Sequence, residues 1–155
     1  MRRFFRFLSH GLFFAMGFGL GIYVLPILTA ADPPTASEMQ VLEAGEKLTA
    51  TFRRDLKGSD FFHWGEGEVT ITPTHIGFKG KLAPGPDYKV YLVPEFVEDD
   101  AGFLALKDKA VRIGDVKGFS GFLLPVPAGV DVKQYTTVLV WCETFKKFIS
   151  AGKYR

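Results

Sequence analysis

Hydrophobic and polar positions divide the chain into two unlike parts. From Phe7 to Ala31 no side chain carries a full charge, a run of 25 residues. As a helix that run extends roughly 37 Å, more than the about 30 Å of a bilayer's hydrocarbon core. After Ala44 helical periodicity is poor and period-two alternation takes over. Leu48, Ala50 and Phe52 alternate with Lys47, Thr49, Thr51 and Arg53. Val69 and Ile71 alternate with Glu68, Thr70 and Thr72, and Ile76 and Phe78 with His75, Gly77 and Lys79. Each stretch predicts a strand with one buried face. Tyr88–Val93 and Thr137–Cys142 are apolar on both faces and predict central strands covered on both sides. Phe119–Val126 and Lys147–Tyr154 are further strand candidates.

Turn signals separate these stretches at short intervals: Lys57-Gly58-Ser59-Asp60, Pro73-Thr74, Pro84-Gly85-Pro86-Asp87, Lys117-Gly118 and Pro127-Ala128-Gly129. Asp99–Lys109 and Asp131–Tyr135 each suit one short helical turn capped by aspartate. Many short strands with frequent turns predict an all-β domain, an antiparallel β-sandwich or flattened barrel, preceded by one N-terminal transmembrane helix. The expected division is a cytoplasmic stub and anchor over 1–31, a Pro-rich stalk over 32–43 and the β-domain over 44–155. In the stalk, Pro33-Pro34-Thr35-Ala36-Ser37 reads as an extended spacer, with a short turn following at Glu38–Leu42.

The N-terminal run has a competing reading as a cleaved signal peptide, since Thr29-Ala30-Ala31 offers small residues to a peptidase and Arg2-Arg3-Phe4-Phe5 faintly resembles a twin-arginine signal. The run exceeds the about 7–15 residues of a signal-peptide core, which favours an uncleaved anchor. Arg2, Arg3 and Arg6 precede it, and Asp32 and Glu38 follow. The positive-inside rule then leaves the N-terminus in the cytoplasm and places residues 32–155 outside the membrane, in the periplasm. Gly17 and Gly21 form a G-x-x-x-G that would let two anchors pack into a homodimer, although glycine is also common in membrane helices generally.

Charge and cysteine content narrow the function. Net charge is +2, with 19 basic and 17 acidic residues. Setting aside Arg2, Arg3 and Arg6 leaves 16 basic groups against 17 acidic in the rest of the chain. A body so near neutrality has no electrostatic reason to bind nucleic acid. The single cysteine, Cys142, excludes an internal disulfide framework, c-type haem attachment and a multi-cysteine zinc site.

That lone cysteine is the first candidate for chemistry. It ends an apolar strand between Trp141 and Glu143, and alternation puts it on one face with Val138 and Val140. Its bland reading is a small buried hydrophobe. The second candidate is His63, within Asp60-Phe61-Phe62-His63-Trp64-Gly65-Glu66-Gly67, as proton donor, metal or haem ligand, or a structural histidine. His75 follows a Pro-Thr turn, and His10 belongs to the anchor. A type 1 copper site is disfavoured because neither His nor Met follows Cys142. Cys142, His63 and Asp87 could form a hydrolytic triad, but nothing in the sequence brings them together, and no reaction is assigned.

Two stretches carry a family resemblance. Gly85-Pro86-Asp87-Tyr88-Lys89-Val90-Tyr91-Leu92 resembles the G-P-D-x-x-V-Y-L of the DM-thirteen domain, a module often found beside DOMON domains. Val138–Phe145 resembles that family's V-x-I-W-C-x-x-F, with Phe148 and Ala151 fitting the end of the pattern. Phe52, His63 and Gly67-Glu68-Val69 resemble its opening, and Leu123–Pro127 its apolar step before the last strands. The likeness covers roughly Ala44 to Arg155. It implies a β-sandwich related to haem- and sugar-binding domains, with a role in electron transfer through the cysteine as free thiol or as ligand to a haem-like group. That role maps onto Cys142, with His63 as a second contributor.

Two functions follow as expectations. One is an anchored extracytoplasmic redox module in which Cys142 works in a pocket walled by Trp141, its pKa lowered by a nearby cation or His63, and meets a redox or envelope protein partner. The other is a non-enzymatic binding or scaffolding module of the cell envelope. A disulfide between the Cys142 residues of two chains is a third use of the same sulfur.

Overall fold

The computed structural model describes residues 1–155. Helix α1 spans Arg2–Leu28 and is long and apolar enough to cross a membrane. Helix α2, Ala36–Met39, starts on a capping box: the Thr35 hydroxyl accepts from the Glu38 amide while the Glu38 carboxylate accepts from the Thr35 amide. A 3₁₀ turn over Gln40–Glu43 follows.

The eight strands are β1 Leu48–Phe52, β2 Gly65–Ile71, β3 His75–Leu82, β4 Tyr88–Val93, β5 Val111–Val116, β6 Gly121–Pro125, β7 Thr137–Cys142 and β8 Lys147–Lys153. They form two antiparallel four-stranded sheets, ordered β1-β2-β3-β6 and β5-β4-β7-β8. The expected sandwich is therefore the fold. Its sheets approach closely where β8 meets β1: a Cβ on Gly152 would stand 2.9 Å from that of Ala50. Only glycine permits that close approach, and the two sheets stay separate, a sandwich rather than a closed barrel.

The alternating strands bury one face each, as their pattern predicts, into a core between the sheets that includes Phe52, Val69, Ile71, Ile76, Phe78, Val90, Leu92, Val138 and Val140. The second sheet is covered on its other face as well. Helix α3, Asp100–Leu106, is capped by Asp99, whose carboxylate accepts from the Gly102 amide, and it drops Phe103 onto Trp141 and Tyr91. Leu56, Leu139, Phe148 and Ala151 complete this smaller cluster. This double cover explains why β4 and β7 are apolar on both faces. The aspartate-capped turn at Asp131 is a 3₁₀ turn over Val132–Gln134.

One strand gives no signal in the sequence, and one local expectation changes. Strand β5 carries no clean alternation, because Gly114 and Asp115 interrupt it beside an irregular register opposite Val90 and Tyr91. The Pro-rich segment is not a free spacer throughout: Ala36 and Ser37 are helical, and the Ala31 amide donates to the Lys117 carbonyl at 2.8 Å. Leu42 is buried against Gly77, so packing on the body begins before Ala44.

Candidate functional site

The two family-like stretches meet at one end of the second sheet. Antiparallel pairing of β4 with β7 sets Tyr88 directly opposite Cys142. Asp87 leads into β4, and its carbonyl accepts from the Glu143 amide at 3.0 Å. A Cβ on Gly85 would lie 2.5 Å from ring carbons of Tyr88, so only glycine lets the Gly85-Pro86 turn fold against that buried ring. Gly85, Pro86 and Asp87 thus shape the wall beside the sulfur by position. Asp87 itself pairs with Lys89 at 2.5 Å.

His63 reaches the same place from the β1–β2 connection. Asp60 builds an Asx-type turn there, accepting from the amides of Phe62 at 2.7 Å and His63 at 2.8 Å. Its carboxylate also holds His63 Nδ1, at 2.8 Å. Burial works to raise the Asp60 pKa, but the His63 ring and the two amides prevail and hold it below the usual carboxylate range. The loop is tied to the motif turn by the Ala83 amide, which donates to the Trp64 carbonyl at 2.9 Å. With Nδ1 engaged by Asp60, the other ring nitrogen, Nε2, is left for a proton or a ligand.

Cys142 and His63 line one cleft of about 240 Å³. Its other walls are Phe62, Pro84, Gly85, Pro86, Tyr88 and Phe145 from the body, and Gly19, Ile22 and Tyr23 from α1. The sulfur belongs to the floor, since Cys142 is only 1% exposed. Burial pushes its thiol pKa up; backbone amides of Phe145, Asp87 and Thr144 oppose that rise without cancelling it. The resting group is thus a protonated thiol, and the expected lowering of its pKa is not what the surroundings produce.

Trp141 is misplaced by the expectation. It points to the opposite face of the sheet, into the cluster under α3, and walls no part of the cleft. Neighbours in a strand face opposite ways, so Trp141 and Cys142 cannot share a pocket. The indole Nε1 is buried without a hydrogen-bond partner. Burial acts to raise the Glu143 carboxyl, but the Lys107 ammonium at 2.6 Å and the Tyr91 hydroxyl outweigh it. Asp87 does not complete a triad; Asp60 is the carboxylate on His63. His75 bonds Thr74 at the far end of β3, and His10 lies in α1.

Haem and metal meet different tests. The cleft, of about 240 Å³, lies below the roughly 300–1,000 Å³ of cofactor sites, and its sulfur is a protonated thiol on the cleft floor. The residues present do not fit a haem. No three His, Cys, Asp or Glu side chains converge to hold a metal ion.

Sequence reasoning missed Tyr88, Phe62, Phe145 and the α1 residues as neighbours of the sulfur, because strand register and helix docking are long-range facts. Asp60 left a signal, an aspartate three residues before His63 in a loop, the spacing of a local side-chain turn.

A family model described as Electron transfer DM13 matches residues 55–154. No curated protein and no solved structure matches the chain.

Proposed function

Because the chain belongs to the Electron transfer DM13 family, we propose that it is a membrane-tethered electron-transfer module of the cell envelope whose working group is the Cys142 thiol. One observation carries this reading: the only cysteine and a carboxylate-oriented histidine, distant in sequence, line the same cleft. Helix α1 is the tether, and the arginines at its start favour a body held outside the cytoplasm.

The chemistry suited to a single thiol is exchange with a disulfide. His63 takes the proton of Cys142, and Asp60 holds the imidazole and stabilises the cation formed. The thiolate attacks one sulfur of a partner's disulfide. A new S–S bond forms to Cys142, and the partner's second sulfur leaves as thiolate. A donor dithiol then displaces the first partner sulfur from Cys142 and closes its own disulfide, releasing Cys142 as thiol. Two electrons pass from donor to acceptor and Cys142 is regenerated. The amides of Phe145, Asp87 and Thr144 would stabilise the transient thiolate.

Pairing of two anchors through Gly17 and Gly21 remains compatible with the fold, since neither glycine touches the body. The binding or scaffolding alternative is favoured by one feature, the apolar lining around a protonated thiol. The two are separated by incubating the full chain in vesicles with dithiodipyridine, a small disulfide that crosses membranes, and following mixed-disulfide formation by mass. Redox use predicts adduct at Cys142, slowed about tenfold or more in His63→Ala, as loss of a general base requires. No adduct on the folded wild type, or an equal rate in His63→Ala, would leave only the binding role.

A further inference from the structure

The cleft changes character along α1 as a bilayer does along its normal. Gly19, Ile22 and Tyr23 face the apolar cleft of Phe62, Tyr88, Phe145 and Cys142. Farther along, Pro26 in the helix and Thr29 and Ala31 just beyond its end border a second cleft lined by Asp87, Lys89, Asp115 and Lys117. At 1.5 Å per residue, Gly19 to Tyr23 stand about 18–24 Å beyond Phe7, where the charge-free run starts. That is inside a hydrocarbon core of about 30 Å, whereas Pro26 to Ala31 reach its edge. Body residues at the level of Tyr23 therefore meet lipid, and the charged cleft meets headgroups.

The body presents what such a position needs. Phe61, Phe62 and Phe145 are exposed by 84%, 57% and 53%. The Phe62 ring meets the Tyr23 ring edge-on at 6.4 Å and Phe61 at 4.9 Å. Lys146, beside Phe145, is exposed and able to extend its ammonium to a phosphate. Phenylalanine rings carry no polar group, so at this level they meet hydrocarbon without a desolvation cost.

We infer that the β-domain seats on the leaflet that holds the C-terminal half of α1, with Phe61, Phe62 and Phe145 immersed, so that the Cys142 cleft opens to the lipid phase. This rests on the reading of α1 as a membrane anchor. It narrows the redox partner to one that carries its disulfide within or against the membrane, since a soluble protein would find the cleft mouth covered.

The test uses the full chain in vesicles of phosphatidylcholine with either plain or brominated acyl chains. Single tryptophans are added at Phe13→Trp in α1, at Phe62→Trp or Phe145→Trp by the cleft, and at Ala128→Trp in the opposite turn. The added emission is read against wild type. Phe13→Trp and at least one of the two cleft variants should lose about twofold or more with brominated chains, as hydrocarbon depth requires, and Ala128→Trp should not change. Quenching of Phe13→Trp without either cleft variant would keep the anchor and overturn the seat. No quenching of Phe13→Trp would overturn both, and equal quenching at Ala128→Trp would overturn the oriented seat.

Discussion

At Cys142 two opposed effects meet. Its place at the end of a doubly covered strand buries the sulfur and raises its pKa, while surrounding amides favour the anion. The folded pKa therefore stands above the unfolded value of 9.0. A raised acid pKa stabilises the fold fully below that unfolded value and loses its contribution as pH rises through the folded one. Thermal melts between pH 7 and 11 should show wild type losing stability relative to Cys142→Ala only above about pH 9. A constant difference across that range would mean that the sulfur is not desolvated in the native state. Cys142 was legible as a candidate because it is unpaired in the sequence, and alternation placed its face correctly. What alternation could not supply was the company it keeps. Asp60, Tyr88 and Phe145 arrive through a local side-chain turn, a cross-strand register and a hairpin.

Among the elements, β4 and β7 were the most legible, since apolar residues on both faces require cover on both sides. The cover itself was less so. Helix α3 has seven residues and contributes one fully buried side chain, Phe103, so its pattern holds little beyond the Asp99 cap. That ring sits 4.8 Å from Trp141 and 5.1 Å from Tyr91. Phe103→Ala should cost about 3–5 kcal/mol in urea unfolding, the usual cost of emptying a buried aromatic site. A loss under about 1 kcal/mol would show that α3 does not seal the sheet. Strand β5 escaped sequence reasoning for a different reason: Gly114 and an irregular register break the alternation that identifies the other strands. The composition of the Pro-rich segment suggests a detached spacer, but a backbone hydrogen bond from Ala31 just before it and the burial of Leu42 bring its ends onto the body.

The whole molecule is a helix able to span a bilayer and a two-sheet body, with the Cys142 cleft between them. The family's two motif stretches, far apart in the chain, adjoin across the β4–β7 pair, which is the physical sense of their joint presence. On the proposed function, the sulfur at the base of that cleft reacts from the folded state. The rate of thiol–disulfide exchange at Cys142 in the full chain, measured across urea concentrations below the unfolding transition, tests this directly. Reaction through the cleft predicts a rate nearly independent of urea, because no global opening is needed. A rate that climbs with urea at the slope of global unfolding would contradict the claim, and Cys142 would then be packing and nothing more.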